Sequence, residues 1–196
     1  MRVLLVVDPI RDDGEFVRQI ATAAVGGLER SGHDVDVVDV VARRFSPVMS
    51  GVDRRSYFTE QPLTCPETLA SAGLVRRAEG LVFVYPTTLS TLPPGLKGWI
   101  DRVFVPGVAF TIGDRTGATR GLSNVRRLTG ITIHDASRRA VWRQGDQGRR
   151  LIGRNVRLCG GLRMRSSWIA MYGGASASDD DRARFLSTVE QRMARL

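Results

Sequence analysis

Residues 84–110 read VYPTTLSTLPPGLKGWIDRVFVPGVAF, and they give the clearest indication of the fold class. An apolar run of strand length ends at Tyr85, and a loop rich in proline, threonine and serine follows it. The next segment, Pro94–Phe104, has helical spacing and begins with proline, a residue that suits the first turn of a helix. A buried strand that leads through a short loop into a helix is one unit of an α/β fold.

The same alternation continues on both sides of that unit. Five segments have the apolar pattern of strands: Arg2–Val7, Asp34–Val40, Gly80–Tyr85, Arg127–Ile133 and Arg165–Met171. Five have the spacing of helices: Glu15–Arg30, Pro66–Arg77, Pro94–Phe104, Gln147–Cys159 and Asp179–Arg195. The segments 42–62 and 105–123 are expected to be irregular. This order predicts a parallel sheet covered by helices on both faces, an α/β three-layer sandwich.

The chain of 196 residues is expected to form one domain, residues 1–196, because it lacks linkers and internal repeats. No stretch is apolar enough to span a bilayer, and MRVLLVVDP predicts a buried strand rather than a signal peptide. A cytoplasmic location is therefore expected. Cys65 and Cys159 lack the spacing of metal ligands, so no metal site is expected.

The formal net charge of +9 comes almost entirely from arginine, since Lys97 is the only lysine. The arginines are scattered along the chain in pairs, without interleaved aromatic residues or a helix-turn-helix pattern. They favour a solvated basic surface, or one that attracts anionic cofactors or substrates. No nucleic-acid partner and no membrane partner are expected.

The segment LPPGLKGWIDRVF resembles the NAD(P)H:quinone oxidoreductases, flavodoxin-like flavoenzymes also called modulators of drug activity. The family pattern Pro-x-x-Leu-Lys-Gly-Trp-x-(Asp/Glu)-Arg-Val-Phe is matched by Pro93, Leu96, Lys97, Gly98, Trp99, Asp101, Arg102, Val103 and Phe104. The stretch GHDVDVVDVVARRFSPVMSGVDRRSYF also resembles the family's second strand and the loop after it. The resemblance implies a flavodoxin-like sheet of order 2-1-3-4-5, with ligands bound beyond the carboxyl ends of its strands. The loops Asp8–Glu15, Pro86–Pro93 and Ile133–Arg143 would then form the site.

The resemblance implies a homodimeric flavoprotein that reduces quinones or similar flat acceptors with NAD(P)H, by two-electron hydride transfer through FAD or FMN. The implied flavin contacts are Phe16, Pro86, Thr87, Thr88, Leu89, Ser90, Thr132 and His134. The implied substrate wall consists of Tyr85, Phe104, Phe110 and Trp142, with Phe110 reaching the pocket of the partner subunit.

Two loops depart from the family pattern. In the first, Asp8 replaces a histidine and Glu15 stands at the phosphate-binding serine, with Asp12 and Asp13 close by. A carboxylate about 4 Å from a phosphate would repel it by ~1–4 kcal/mol, unless it instead serves as a capping acid in the first turn of the helix. In the third loop, His134 and Asp135 stand where relatives have glycines, at the expected mouth of the pocket.

These departures leave an alternative of another class open. A flavin-free protein could use the vacant cleft for non-redox acid/base chemistry on an organic substrate, as in specialised metabolism. The candidate acids and bases are Asp8, Asp12, Asp13, Glu15, His134 and Asp135, and His134 and Asp135 are the leading catalytic candidates. A non-catalytic binding or regulatory subunit is a third reading.

Overall fold

A computed structural model describes residues 1–11, 14–113, 117–161 and 163–196 of the chain. The strands are β1 Arg2–Val7, β2 Asp34–Asp39, β3 Gly80–Pro86, β4 Phe110–Gly113, β5 Gly117–Arg120, β6 Arg127–His134 and β7 Arg165–Tyr172. The helices are α1 Glu15–Arg30, α2 Gly51–Ser56, α3 Pro66–Arg77, α4 Pro94–Val103, α5 Arg138–Gln144, α6 Gln147–Arg150, α7 Arg157–Cys159 and α8 Asp179–Met193. A π-helical segment, Leu151–Val156, joins α6 to α7.

Five strands form one parallel sheet in the order β2-β1-β3-β6-β7. Strands β4 and β5 pair separately as an antiparallel hairpin, so β6 and β7 are the fourth and fifth strands of the sheet. The order of the sheet is therefore the predicted 2-1-3-4-5. The register places Val7 beside Val84 and Pro86 beside Ile133. The carboxyl ends of the three central strands therefore lie next to one another at one edge of the sheet.

Alternate residues of the central strands pack into two apolar cores, one on each face of the sheet. Val3, Leu5 and Val7 face a core that α1 and α8 cover. Leu4 and Val6 face the opposite core, which α3, α4 and the π-helical segment cover. Strands that are buried on both faces are typical of parallel sheets. Among the described residues, no helix is long and apolar enough to cross a membrane.

The structure contains short elements that the sequence did not predict. Helix α2 lies inside the stretch expected to be irregular, and Ser50 and Asp53 close its first turn as a reciprocal capping box. The hairpin β4–β5 lies in the glycine-rich stretch. Helix α5 lies in the third loop, with Ser137 at its N-cap. The predicted helix Gln147–Cys159 is present, but its middle turns have π geometry.

Helix α4, which carries the Lys-Gly-Trp motif, packs very closely on the loop after β2. A Cβ atom at Gly98 would collide with the backbone of Pro47, so only glycine allows this approach. Trp99, on the same helix, is fully buried and lies edge-on to Phe83 and Phe104. The motif is therefore a packing motif in this chain: it fixes α4 against the sheet and the loop.

The far half of α4 is held by a buried ion pair between Arg102 and Asp53. Arg102 Nη2 lies 3.1 Å from Asp53 Oδ2, and Arg102 Nη1 donates to the Ser46 carbonyl at 2.6 Å. The guanidinium also lies over the Phe45 ring. Burial alone would raise the pKa of Asp53, but hydrogen bonds from Thr64 and Ser50, together with the Arg102 charge, lower it. The pair joins α4 to α2 and to the loop that follows β2.

Candidate functional site

The first of the three predicted loops leaves β1 at Asp8, whose carboxylate is buried. Its Oδ2 accepts from the Leu96 amide at 2.6 Å, and its Oδ1 accepts from the Ile10 amide at 2.8 Å. Leu96 lies in the first turn of α4, where Pro93, the N-cap residue, provides no side-chain cap. Burial raises the pKa of Asp8, an effect that the two amide hydrogen bonds oppose. Asp8 is therefore a cap for α4 and not an exposed acid or base.

Helix α1 begins at Glu15, immediately after that loop. Its N-cap residue is Gly14, which supplies no side-chain cap, and in the described part of the chain no side chain accepts from the amides of its first turn; such amides can bind an anion. Glu15 Oε1 lies 3.4 Å from Gln19 Nε2 on the next turn, and Glu15 lines a groove between α1 and α8. Glu15 thus extends along α1. Asp12 and Asp13 lie outside the described residues.

Phe16 was predicted to contact the flavin, and the structure turns its ring towards α8. The Arg182 guanidinium lies over the ring, 5.3 Å from its centroid, and the ring packs against the core on that face. The side chain therefore stabilises the α1–α8 contact. The backbone amide of Phe16 belongs to the first turn of α1 and is directed towards the N-terminal end of the helix, whereas the side chain is not.

The second loop folds into a tight turn. Thr88 and Thr91 exchange backbone hydrogen bonds of 3.1 and 2.9 Å, and the two residues between them have positive φ angles, 46° at Leu89 and 60° at Ser90. The left-handed region costs roughly 1–2 kcal/mol for a residue other than glycine. Leu89 is 100% exposed, so no packing of its side chain offsets this cost. Strained, exposed residues of this kind cluster at functional sites.

Hydrogen bonds to the third loop hold the turn in place. Ser90 Oγ donates to Gln144 Oε1 at 2.9 Å, and the Ser90 carbonyl accepts from the Gln147 amide at 2.8 Å. The Thr87 amide donates to the Ile133 carbonyl at 2.9 Å, which extends the β3–β6 ladder by one bond. The turn is therefore anchored to β6, to the end of α5 and to the start of α6.

The position of His134 in the sequence suggested that its side chain lies at the mouth of the pocket. In the structure the side chain does not open into the pocket. The ring is 1% exposed, because β6 continues through His134 and the side chain turns inward. Its Nδ1 lies 3.2 Å from Thr87 Oγ1, and its Nε2 lies 3.3 Å from Thr132 Oγ1. The Tyr172 ring stacks on it at 5.1 Å. His134 therefore lies beneath the second loop, and Thr132 is fully buried with it.

Asp146, which the sequence did not single out, is the acidic partner of His134. Its Oδ2 lies 3.4 Å from His134 Nε2, and its Oδ1 accepts from the Arg149 amide at 2.9 Å as the N-cap of α6. Burial alone would raise the pKa of Asp146, but the hydrogen bond and charge of His134 and the contacts of Arg149 lower it. A line of polar groups thus runs from Thr87 through His134 to Asp146.

The predicted substrate wall is divided by the fold. Tyr85 is fully buried beside Gly148, where burial and the Asp146 charge raise the pKa of its hydroxyl. Phe104 is also buried and packs on Trp99. Phe110 is half-buried at the start of β4, and Trp142 on α5 is 82% exposed. Of the four residues, Trp142 alone presents its ring broadly to solvent; Tyr85 lies inside the fold, and Phe104, although mostly buried, contributes to the lining of a cavity beside α4.

Of the candidate acids and bases of the non-redox alternative, those that the structure describes are not gathered into one exposed cluster. Asp8 and His134 are buried, while Asp135 is exposed and makes no described contact with His134. A general acid or base must reach the proton that it transfers. The burial of Asp8 and His134 therefore does not favour these two residues in that role.

Comparisons with known proteins agree with this architecture. The profile of the flavodoxin-like fold family matches residues 1–193. NAD(P)H dehydrogenase [quinone] 1 of Cavia porcellus is 30% identical over 126 residues, which are 57% of this chain and 46% of that protein. The human ribosyldihydronicotinamide dehydrogenase [quinone] is 27% identical over 125 residues, 56% of this chain and 54% of that protein. The chain thus spans about half the length of these curated relatives.

Solved structures resemble the chain over its full length. The Smu.1420 protein of Streptococcus mutans is 26% identical and superposes with a TM-score of 0.82, covering 100% of both chains. The NAD(P)H:quinone oxidoreductase of Methanothermobacter marburgensis has a TM-score of 0.79 at 22% identity, with 99% of this chain and 96% of that chain covered, and this likeness shows the fold alone. The resemblance to quinone oxidoreductases is confirmed, and the chain belongs to the flavodoxin-like fold family.

Proposed function

We propose that the protein is a flavin-dependent NAD(P)H oxidoreductase that reduces quinones or similar flat acceptors. The observation that carries the proposal is that two features lie side by side at the carboxyl edge of the sheet. The start of α1, which Gly14 does not cap, follows β1, and the turn at residues 87–90 follows β3, the neighbour of β1 in the sheet. Relatives named as quinone dehydrogenases, and an FMN-bound azoreductase with the same fold, support the choice of cofactor class.

The residues at the start of α1 fit the phosphate of a flavin mononucleotide unit. An uncapped helix terminus stabilises an anion by roughly 0.3–1 kcal/mol. Because Glu15 extends along α1 towards Gln19, its carboxylate does not oppose this effect as strongly as its position in the sequence suggested. The backbone amides of Glu15, Phe16 and Val17 would hold the phosphate, whereas the Phe16 ring would not.

The 87–90 turn fits the edge of a flat ring system. Pro86, Thr87 and Thr88 are half-buried, and Leu89 projects fully into solvent from the turn. Backbone amides and small hydroxyl groups would orient the ring, while Leu89 and Trp142 would exclude water from its faces. Flavin supplies two-electron transfer when it is bound, and NAD(P)H is the expected electron donor; the protein's part is to bind and to orient.

His134 would support this site from below. Its ring nitrogens face Thr87, Thr132 and Asp146, and it has almost no exposed surface. We therefore assign His134 a positioning role for the loop rather than an obligatory role in proton transfer. Asp135, the other predicted catalytic residue, is exposed and has no assigned role in this proposal.

The test is the visible spectrum of the purified protein together with steady-state assays. A yellow protein that oxidises NADPH or NADH only when a quinone is present is the expected result. Reconstitution with FMN and with FAD separately would distinguish the two flavins. A colourless protein that binds neither flavin would overturn the proposal.

We also propose that the protein is a homodimer, with the second copy covering the outer face of α4. A cavity of about 460 Å³ lies on that face, between Pro47, Met49 and Tyr57 on one side and Ile100 and Phe104 on the other. The hairpin β4–β5, which follows α4 in the chain, exposes Ile112, which is 54% accessible. Apolar surface of this kind, rimmed by Arg54 and Asp101, is suited to a self-complementary interface.

Light scattering at micromolar concentration tests this proposal. The dimer mass is expected for the wild type. Ile112→Glu should yield a folded monomer, because it places a charge in the proposed interface at a residue that the fold itself leaves exposed. Leu69→Glu, a change at a 51% exposed residue of α3 that does not line that cavity, is the control and should remain dimeric. A monomeric wild type would contradict the proposal.

A further inference from the structure

The arginines that are scattered in the sequence come together on one surface of the fold. Two neighbouring cavities, of about 390 and 310 Å³, share Gly153 and Arg154 as lining residues and so form one groove. The groove follows the helix 147–159 and is bounded by Ser166 and Ser167 of the edge strand β7. Its guanidinium groups belong to Arg120, Arg149, Arg150, Arg154 and Arg157.

Most of these charges are not neutralised by the protein. In the described part of the chain, Arg120, Arg150, Arg154 and Arg157 form no ion pair, and all four are exposed. Arg149 lies over the Trp168 ring at 5.8 Å. Asp146 is the acidic residue among those that line the two cavities, and its carboxylate is turned towards His134 and the Arg149 amide. The groove therefore carries a strong positive potential.

The arrangement suits a ligand with repeated charges. Arg150, Arg154 and Arg157 lie within two turns of one helix, which correspond to about 10 Å along its axis. Guanidinium groups bind phosphate oxygens in a bidentate manner, and serine hydroxyls add neutral donors. A third cavity, which shares Ser166 and Ser167 with the groove, continues the basic lining with Arg165 and Arg192. A single small anion would use only a fraction of this surface.

We propose that this groove binds the sugar–phosphate backbone of single-stranded nucleic acid. Arginine, serine and glycine make up most of the groove's lining. Its two large apolar residues are Trp168, whose ring faces the Arg149 guanidinium, and Leu158, whereas a protein interface usually has a cluster of apolar or aromatic anchors at its centre. A single flexible strand can follow a narrow groove from cavity to cavity, as basic grooves in other single-strand binders allow. The expectation of no nucleic-acid partner rested on the scatter of arginines along the chain and on the lack of interleaved aromatic residues or a helix-turn-helix pattern. The fold removes the first of these arguments.

This binding is independent of the proposed redox function. The groove lies along the outside of the helix 147–159, and none of the flavin contacts or substrate-wall residues predicted from the sequence lines it. The experiment therefore does not require flavin or an active enzyme, and a failure of the proposed oxidoreductase activity leaves it intact.

The test is fluorescence anisotropy with a labelled 20-nucleotide single strand and a duplex of the same sequence, at increasing salt. The wild type is expected to bind the single strand in the micromolar range at low salt, with an affinity that falls as salt rises. The double variant Arg154→Glu/Arg157→Glu should bind at least tenfold more weakly. Its slope of log K against log salt should be smaller by about 1.4, at ~0.7 for each phosphate that is no longer neutralised by an arginine.

The control variant Arg44→Glu/Arg55→Glu changes two exposed arginines after β2 and alters the net charge equally. It should lose less than threefold, and circular dichroism should show that both variants fold. Equal losses in the two variants, or no binding by the wild type at low salt, would overturn the proposal. Tighter binding of the duplex, or displacement of the strand by poly-glutamate at equal charge concentration, would reassign the groove to duplex or to an acidic protein and would also overturn it.

Discussion

Two buried acid–base pairs, Asp53–Arg102 and Asp146–His134, occupy different places in the fold. The first joins α2 to α4 and is surrounded by further partners: Thr64, Ser50, Ser46 and the Phe45 ring. The second lies at the carboxyl edge, directly beneath the turn at residues 87–90. The first pair therefore stabilises the frame of the fold, and the second pair stabilises a loop of the candidate site. Mutations should separate these roles.

The largest effect is expected for Arg102→Ala. The substitution leaves the Asp53 carboxylate buried without its cation, and breaking a buried pair in this way typically costs about 3–5 kcal/mol. The measurement is the free energy of unfolding in urea. Arg77→Ala is the matched control, since the Arg77–Asp36 pair is partly exposed and its loss should matter much less. Equal losses in the two variants would show that Arg102 does not hold the frame.

A smaller effect on global stability, but a local effect on the site, is expected for His134→Ala. The change removes the contacts with Thr87, Thr132 and Asp146 and should lower the free energy of unfolding by about 1–3 kcal/mol. Hydrogen exchange should accelerate at Thr87 and Thr91, whose amides donate to the carbonyls of Ile133 and Thr88 respectively. His33→Ala, at the other histidine, should leave those amides unchanged. Unaltered protection in His134→Ala would contradict the role of the pair.

Asp146→Asn should reveal the same pair through its pH dependence. In the folded state the pKa of Asp146 lies below its unfolded value of about 3.9. The ionised carboxylate therefore stabilises the fold at pH values above the unfolded pKa. This stabilisation is lost as the pH falls through the folded pKa. The variant should be less stable than the wild type by about 1 kcal/mol at pH 7. The difference should shrink below pH ~4. Urea midpoints at pH 7 and pH 3 measure it, and a difference independent of pH would refute the assignment.

The smallest effect has the opposite sign. Leu89→Gly should stabilise the protein by about 0.5–1 kcal/mol, because glycine accepts the positive φ angle and the exposed leucine loses no packing. Leu69→Gly is the control: this exposed leucine lies inside α3, where glycine should destabilise by about 1 kcal/mol. Thermal midpoints of the two variants should therefore move in opposite directions. A decrease for both would show that the turn is not strained.

The periodic parts of the sequence predicted the frame well. The buried run Arg2–Val7 and the amphipathic segment Glu15–Arg30 became β1 and α1 with the same bounds. Helix α5 gave no such signal, because only Val141 among its seven residues is buried. The hairpin β4–β5 is equally short, with four residues in each strand. Short elements contain too few periods to be recognised from hydrophobic pattern.

The candidate site was predicted less completely, because its contacts join residues that are distant in the chain. Asp146 lies twelve residues after His134, and nothing in the sequence between them indicates that they pair. Asp8 caps a helix that begins 86 positions later, so its role could not be read from its neighbours. One signal was available for His134: the apolar run of β6 continues up to it, which favours a buried side chain.

The contact between Gly98 and Pro47 limits how this scaffold can be redesigned. The two segments, α4 and the loop after β2, fit each other at a point where no additional atom can be inserted. Grafting a longer or bulkier loop from another protein at residues 45–49 would push α4 away from the sheet. The Leu96 amide would move with the helix, and its hydrogen bond to the Asp8 carboxylate would be lost. Chimeras should therefore exchange the two segments together, as a single cassette.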